Sequence, residues 1–524
     1  MNPFSALQTA FRSVRDQPAL ATLTILSGFL HIALLGRYDI FRNELYFIVC
    51  GWHPAFGYAD QPPLVPLLSA ATQLFGENIW LLRLPAALAF TALIPLTAAF
   101  ARQLGGTSRS AVLAAAGVAL SPALGGMAVT TNTSSFEPLS WTLCAYLLVR
   151  GTIGGKSRAL IWFGVVAGLA MEAKYGIAIW LAALTLGLLL AGSRRVFASR
   201  HLWMGAVLAL LMGTPSLIWQ AASGWPFLEI MLHHHVTGTN FTGTPLQFGI
   251  GQILAMNILL APLWLAGLIA PFFMPRLAAV RFVSIACVLA AIMIYGAGGK
   301  DYYLFPVYPS LLAVGAVAVA RTGRILLGVW FGFATLNFFI LAPVALPLLD
   351  PPALARYLNK MHLRPPPDEA AAVGAPLTQV FSDEQGWREL ERQVASIYHA
   401  LPEAERRHAT ILASNYGEAA AIDFYGRKDD LPRAISGEAQ YFLWGPGDSD
   451  GSVVILVNGD PERWRAPHCR SLEIIGKFGA RYAMPYENDR PITVCRGLQV
   501  DLHADWGRFR RFQMAPTAAK GDFE

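Results

Sequence analysis

Over the first two thirds of this chain the hydrophobic residues fall into long runs, and polar residues are pushed to the ends of those runs. A bilayer core takes about 20 mostly apolar residues per helix. Spans are predicted near residues 19–36, 79–100, 109–128, 134–150, 159–173, 176–193, 202–220, 247–273, 278–297, 303–320 and 325–348, about eleven transmembrane helices. Residues 62–75 are apolar but short and begin at Pro62-Pro63, which suits a first helical turn. They are predicted as an interfacial or re-entrant helix. The first apolar run lacks a small-residue cleavage site before a soluble stretch, so it reads as a retained anchor.

Near Asp350 the pattern changes. Residues 383–401 carry apolar positions at helical spacing. Residues 409–413 and 453–458 cluster like buried strands, and 448–451 read as a turn. The predicted fold is a membrane all-α bundle, residues 1–348, whose first external loop spans 37–78, followed by a soluble α/β domain, residues 349–524.

Composition supports this division. The chain is 54% hydrophobic and 14% charged, with mean hydropathy +0.43, whereas soluble domains average roughly 25% charged residues. The net charge of +6 comes from residues at span ends. Arg12 and Arg15, Arg102 and Arg109, Arg150 with Lys156 and Arg158, Arg194 with Arg195 and Arg200, Arg276 with Arg281, and Arg321 with Arg324 all fall on one side of the predicted bundle. The opposite loops are poorer: 129–133 carry no charge, and 221–246 carry only Glu229 and histidines. The positive-inside rule makes the rich side cytoplasmic. The N-terminus is then cytoplasmic, and an odd number of spans puts the C-terminal domain outside, in the periplasm of a bacterium. No basic stripe with interleaved aromatics is present, which argues against nucleic acid.

Of the five cysteines, Cys50, Cys144 and Cys287 lie in or beside apolar runs and read as small core residues. Cys469 and Cys495 lie in the tail, as a disulfide if that domain is outside the cytoplasm and as thiols otherwise. No Cys or His run has zinc spacing. His233, His234 and His235 are consecutive and do not readily share one ion on a regular helix. No metal or cofactor is therefore expected, with a divalent metal there as the alternative.

The candidate chemistry gathers on the predicted external side, where ionisable groups at membrane depth are costly and often functional. The first loop carries Arg37, Asp39, Arg42, Glu44, His53 and Asp60 among aromatic residues, and short helices on the bundle surface are expected there. Glu137-Pro138 opens the fourth span. Glu172 and Lys174 sit between the fifth and sixth, and Lys300-Asp301 with Tyr302 and Tyr303 opens the tenth. The lysines either snorkel to the interface or hold a phosphate. A cavity with carboxylates, cations and aromatics suits an amphiphile with a phosphate head and a lipid tail. The acids would activate a hydroxyl and the cations would stabilise a leaving phosphate.

The run Arg42-Asn43-Glu44-Leu45-Tyr46, with Gly57-Tyr58-Ala59-Asp60-Gln61-Pro62-Pro63-Leu64, resembles the first external loop of glycosyltransferase family 39. That family includes protein O-mannosyltransferases and lipid A aminoarabinose transferases. Phe136-Glu137-Pro138, Lys174-Tyr175 and Gly299 to Leu304 with Pro306, Tyr308 and Pro309 extend the resemblance. In the tail, Asn415 to Ala419, Asp423 to Gly426, Ile435 to Gly437 and Tyr441 to Pro446 resemble a bacterial branch of the family.

The resemblance implies a GT-C fold and inverting transfer of a sugar from a polyprenyl-phosphate donor to a hydroxyl of a cell-envelope acceptor, at the external face of the inner membrane. A first-loop carboxylate would act as base. The family has Asp where this chain has Asn43, and an amide does not take up a proton at neutral pH. Glu44 is the first substitute, with Asp39 and Asp60 as alternatives and Glu137 as a second candidate. Gln61 stands where aminoarabinose transferases have a phosphate-binding Lys, which leaves that charge to Lys174 and Lys300 with Arg42, beside Tyr302 and Tyr303. Asn43, Tyr46, Gln61 and His234 are expected on the sugar and acceptor. No G-x-x-x-x-G-K-[ST] run or G-x-G-x-x-G helix opening is present, in keeping with a donor that is not a nucleotide. Two other readings use the same residues: a lipid or polyprenyl-phosphate flippase, and a non-catalytic donor-binding member. The apolar midplane and the lack of an inverted repeat weigh against the flippase.

Overall fold

A computed structural model describes residues 17–237, 243–363, 372–459 and 468–511, so Arg12 and Arg15 lie outside the described residues. The chain forms two compact units. One comprises residues 1–37, 78–219 and 242–349, and the other 38–77, 220–241 and 350–524.

The first unit is helical. Among the described residues, five helices are long and apolar enough to cross a membrane: Ile79–Gln103, Arg200–Ala222, Pro275–Gly296, Asp301–Val319 and Arg324–Ala345. Shorter apolar helices run Pro18–Leu34, Ser108–Ala119, Ala159–Ala173 and Ile177–Ala191, and Glu137–Thr152 lies over the predicted fourth span. Several of these present large apolar side chains outward, as with Phe29 at 70% and Ile325 at 84% exposure. Water would penalise such surfaces and lipid does not. Inside, Gly267 and Gly315 let two helices approach so closely that a methyl at either position would overlap the neighbouring backbone.

The predicted span 247–273 is not one helix. It breaks into Pro245–Ala255 and Ile258–Phe273, bent by 93°. Asn257 causes the break. It adopts φ +75° and its side chain caps Leu259 N–H. Its amide nitrogen donates to the carbonyls of Leu120 and Ala334, and its oxygen accepts from Asn337. Composition stays apolar across the break, so hydropathy did not reveal it. The predicted external loop 221–246 likewise contains a helix, Pro226–Thr237, which Pro at the first position and Glu229 in the first turn favour.

The second unit is built on a five-stranded sheet of order β2-β1-β3-β5-β4. Its strands are β1 (Ala409–Ala413), β2 (Ala434–Ser436), β3 (Val453–Val457), β4 (Cys469–Phe478) and β5 (Arg490–Leu498). β1 pairs parallel with β2 and β3, while β5 pairs antiparallel with β3 and β4. β1 and β3 are buried along their whole length, as parallel central strands require. Cys469 and Cys495 form a disulfide. Helix Tyr416–Tyr425, which follows β1, packs against helix Arg42–Trp52 of the segment 37–78, predicted above as the first external loop, and that helix packs against Leu64–Thr72. The loop therefore folds with the tail domain.

Candidate active site

In the first unit, Glu137 and Lys174 meet at 2.7 Å. Glu137 is 4% exposed at the start of its helix. Lys174 lies just past the end of Ala159–Ala173 in extended backbone, which turns its ammonium back towards Ser134 Oγ, also at 2.7 Å. Tyr303 and Tyr302 place their rings 4.3 and 5.8 Å from that ammonium. Gly176 is needed here, because a methyl at that position would stand 2.6 Å from Glu137 Oε1. The result is one cation framed by a carboxylate, a hydroxyl and two π faces. Glu172 accepts from Ser216 Oγ at 2.8 Å. Gln252 donates to the Asp301 carbonyl at 3.0 Å and ties down the turn that follows Lys300. Arg83, missed in the sequence, is 1% exposed inside helix Ile79–Gln103 and donates to the Leu35 carbonyl.

In the second unit the first-loop residues divide by role. Glu44 is fully buried and its Oε2 accepts from the Phe41 N–H at 2.9 Å, closing the start of its own helix. Arg42 is held by Tyr486, by Asp383 at 3.7 Å and by the ring of Tyr416 at 5.3 Å. Gly417 leaves the room for it, since a methyl there would lie 2.5 Å from Arg42 Cγ. Asp39 takes Arg388 and Tyr425, both at 3.1 Å. Asn43 accepts from Tyr416 O–H at 2.8 Å.

Asp60 has a different setting. Its Oδ1 accepts from Tyr46 O–H at 2.7 Å, and the Tyr46 oxygen in turn accepts from the backbone N–H of Gln440 at 3.0 Å. The Gln440 side chain takes the Ala59 N–H at 2.9 Å, pinning the turn that carries Asp60. Burial raises the Asp60 carboxyl to about 6, against the lowering effect of the Tyr46 hydrogen bond. A base titrating there is ionised at neutral pH yet basic enough to take a proton. Gln61 is 3% exposed, and its Nε2 has no hydrogen-bond partner among the described residues. His234 lies on helix Pro226–Thr237, which Arg510 fixes to the tail through Glu229.

The structure thus brings Glu137, Lys174, Tyr302 and Tyr303 together, and Asn43, Tyr46 and Asp60 together with tail residues. Tyr416 was singled out in the sequence as part of the family resemblance. Asp383, Gln440 and Tyr486 were not, because they lie hundreds of residues from the loop and carry no local signal. Among the described residues no three His, Cys, Asp or Glu side chains gather as metal ligands.

Residues 60–219 match the dolichyl-phosphate-mannose-protein mannosyltransferase family. Over most of its length the chain shares the fold of ArnT from Cupriavidus metallidurans, both bound to undecaprenyl phosphate and in the apo state. Each comparison gives TM-score 0.59 at 14% identity and covers 90% of this chain and 97% of that one. The oligosaccharyltransferase AglB from Archaeoglobus fulgidus, in complex with an inhibitory peptide and a dolichol-phosphate, gives TM-score 0.47 at 11% identity, covering 77% of this chain and 63% of that one. No curated protein matches the chain. Residues 60–219 are thus similar to that family, the chain shares the fold of ArnT over most of its length, and its helices include several long and apolar enough to cross a membrane.

Proposed function

We propose that this enzyme transfers a sugar from a polyprenyl-phosphate donor to a hydroxyl of a cell-envelope acceptor, at the external face of a bacterial inner membrane. The observation that carries the reading is the Tyr46–Asp60 pair, a carboxyl poised at about 6 in the first-loop segment that the family match includes from residue 60 onward. The family name specifies a dolichyl-phosphate sugar donor, and ArnT was captured with undecaprenyl phosphate. The chemistry is a single displacement. Asp60 takes the proton of the acceptor hydroxyl, and the oxygen attacks the anomeric carbon from the face opposite the phosphate. The bond from that carbon to the phosphate oxygen breaks, and polyprenyl phosphate leaves with the electron pair.

Lys174 is assigned to the donor phosphate, its charge oriented by Glu137 and the Tyr302–Tyr303 rings, with Lys300 as a second cation. Tyr46 tunes Asp60. Asn43, Gln61 and His234 are assigned to the sugar and acceptor. Glu44 and Arg42 hold the loop helix in place. Eleven spans, a cytoplasmic N-terminus and an external domain over 349–524 complete the reading. The Cys469–Cys495 disulfide supports the external placement, since such bonds persist in oxidising compartments.

Mass spectrometry of envelope lipids, glycans and glycoproteins from cells with and without the protein tests this. Loss of one sugar from an envelope component, with accumulation of the matching polyprenyl-phosphate sugar, is expected. Identical envelopes would overturn it. Asn43 in place of the family Asp favours one other reading, donor binding without turnover. Under that reading, activity appears only in Asn43→Asp.

A further inference from the structure

The second unit contains a hollow of about 410 Å³ where β1 and β2 begin, within the 300–1,000 Å³ range of small-ligand sites. No part of the transfer chemistry uses it. One wall is Trp444, whose ring meets Tyr441 edge-on at 5.0 Å and carries the Arg433 guanidinium at 4.6 Å. The indole therefore fixes the direction of the guanidinium fork. Arg433 and Asp448 are exposed at the mouth of the hollow; the Arg433 charge acts on nearby Asp423, and among the described residues neither side chain is in a hydrogen bond or close ion pair. The chain between them turns through Gly445 at φ +82° and Gly447 at φ +62°, conformations that side-chain-bearing residues adopt at a cost. Deeper in the hollow, buried Thr410 donates to Ser449 at 2.7 Å, while at its exposed rim His408 pairs with Asp450 at 2.7 Å.

The lining selects among ligand classes. It offers a directional donor, an uncommitted carboxylate, buried hydroxyls and an aromatic edge, with opposite charges nearly balanced. A phosphate would meet two aspartates. An apolar ligand would desolvate Arg433 and Asp448 without satisfying either. A hydroxyl both donates and accepts, so adjacent hydroxyls of a sugar ring answer the carboxylate and the guanidinium together, with the ring's C–H face against Trp444 and Pro446. We propose that this hollow is a saccharide-binding site that holds an oligosaccharide chain. It stands whether or not Asp60 and Lys174 act as assigned above.

Isothermal titration of the full-length protein in nanodiscs with chitotetraose, mannotetraose and inorganic phosphate tests it. Saturable binding of at least one tetrasaccharide is expected, weakened about tenfold or more in Asp448→Asn and in Arg433→Ala, as loss of a hydrogen bond to a charged group implies. Arg433→Lys keeps the charge but loses the planar fork and weakens binding to an intermediate degree. Lys477→Gln, at an exposed pair elsewhere on the sheet, leaves it unchanged. Melting temperatures within the wild-type range show that the variants fold. Binding of neither tetrasaccharide, binding of phosphate alone, or tetrasaccharide affinity equal in Asp448→Asn, Arg433→Lys and wild type would each overturn the proposal.

Discussion

Tyr46→Phe gives the sharpest reading of how the proposed base is tuned. The substitution keeps the ring and removes the hydroxyl that donates to Asp60 at 2.7 Å. A hydrogen bond to a charged group contributes about 1.5–3 kcal/mol, and one pKa unit corresponds to about 1.36 kcal/mol. Losing it moves the Asp60 carboxyl up by about 1 to 2 units, from about 6 to about 7 to 8. The sign follows from the role: a base works ionised, so activity is present above its pKa and falls as pH drops through it. The acid limb of kcat/KM, which reports the free enzyme, therefore shifts alkaline by that amount. At pH 7 the ionised fraction falls from about nine tenths to about a quarter for a midpoint near 7.5, a roughly fourfold loss of rate. At pH 9 the loss vanishes. The assay is initial release of polyprenyl phosphate between pH 5 and 9.5. An acid limb that stays in place while the plateau drops would mean that Tyr46 is only structural. A shift to lower pH would rule out the Tyr46 hydrogen bond as what holds the Asp60 carboxyl down.

Other outcomes follow from the same geometry. Lys174→Met leaves Glu137 buried without its cation, so the purified protein loses about 3–5 kcal/mol of stability; Glu137→Gln/Lys174→Met recovers most of it in thermal melts without restoring donor binding. Glu418 is buried between Ser414 and Asn458, and burial raises its carboxyl to about 7. The folded second unit thus favours the protonated acid, and that stabilisation is full below the ordinary carboxyl pKa and is lost as pH rises through 7. Melting should occur at higher temperature at pH 5.5 than at pH 8, and Glu418→Gln should flatten the difference. Cys495→Ser opens a disulfide that closes 26 residues and should destabilise the second unit by about 2–4 kcal/mol, measured by denaturant unfolding.

The helices were legible because lipid imposes one requirement on every span, a run of apolar residues, and hydropathy reads that directly. The bend at Asn257 was not, since a single residue at positive φ leaves the apolar run intact. Strands β1 and β3 stood out as buried aliphatic clusters. β2, three residues long, and the charged edge strand β4 have no alternating pattern to find. In the site, the acids of the first loop were visible but their roles were not. Glu44 and Asp60 both precede apolar segments, and only the fold shows one closing a helix while the other faces a tyrosine. That tyrosine is held by Gln440, 394 residues away, a separation no local pattern bridges.

Whether Asp60 is the base is decided by release of polyprenyl phosphate from its sugar-linked form in proteoliposomes, comparing wild type with Asp60→Asn. Acceptor-dependent release by the wild type is expected, with a loss of about 10²–10⁴-fold in Asp60→Asn, the contribution of a general base. Equal rates in the two proteins would contradict it.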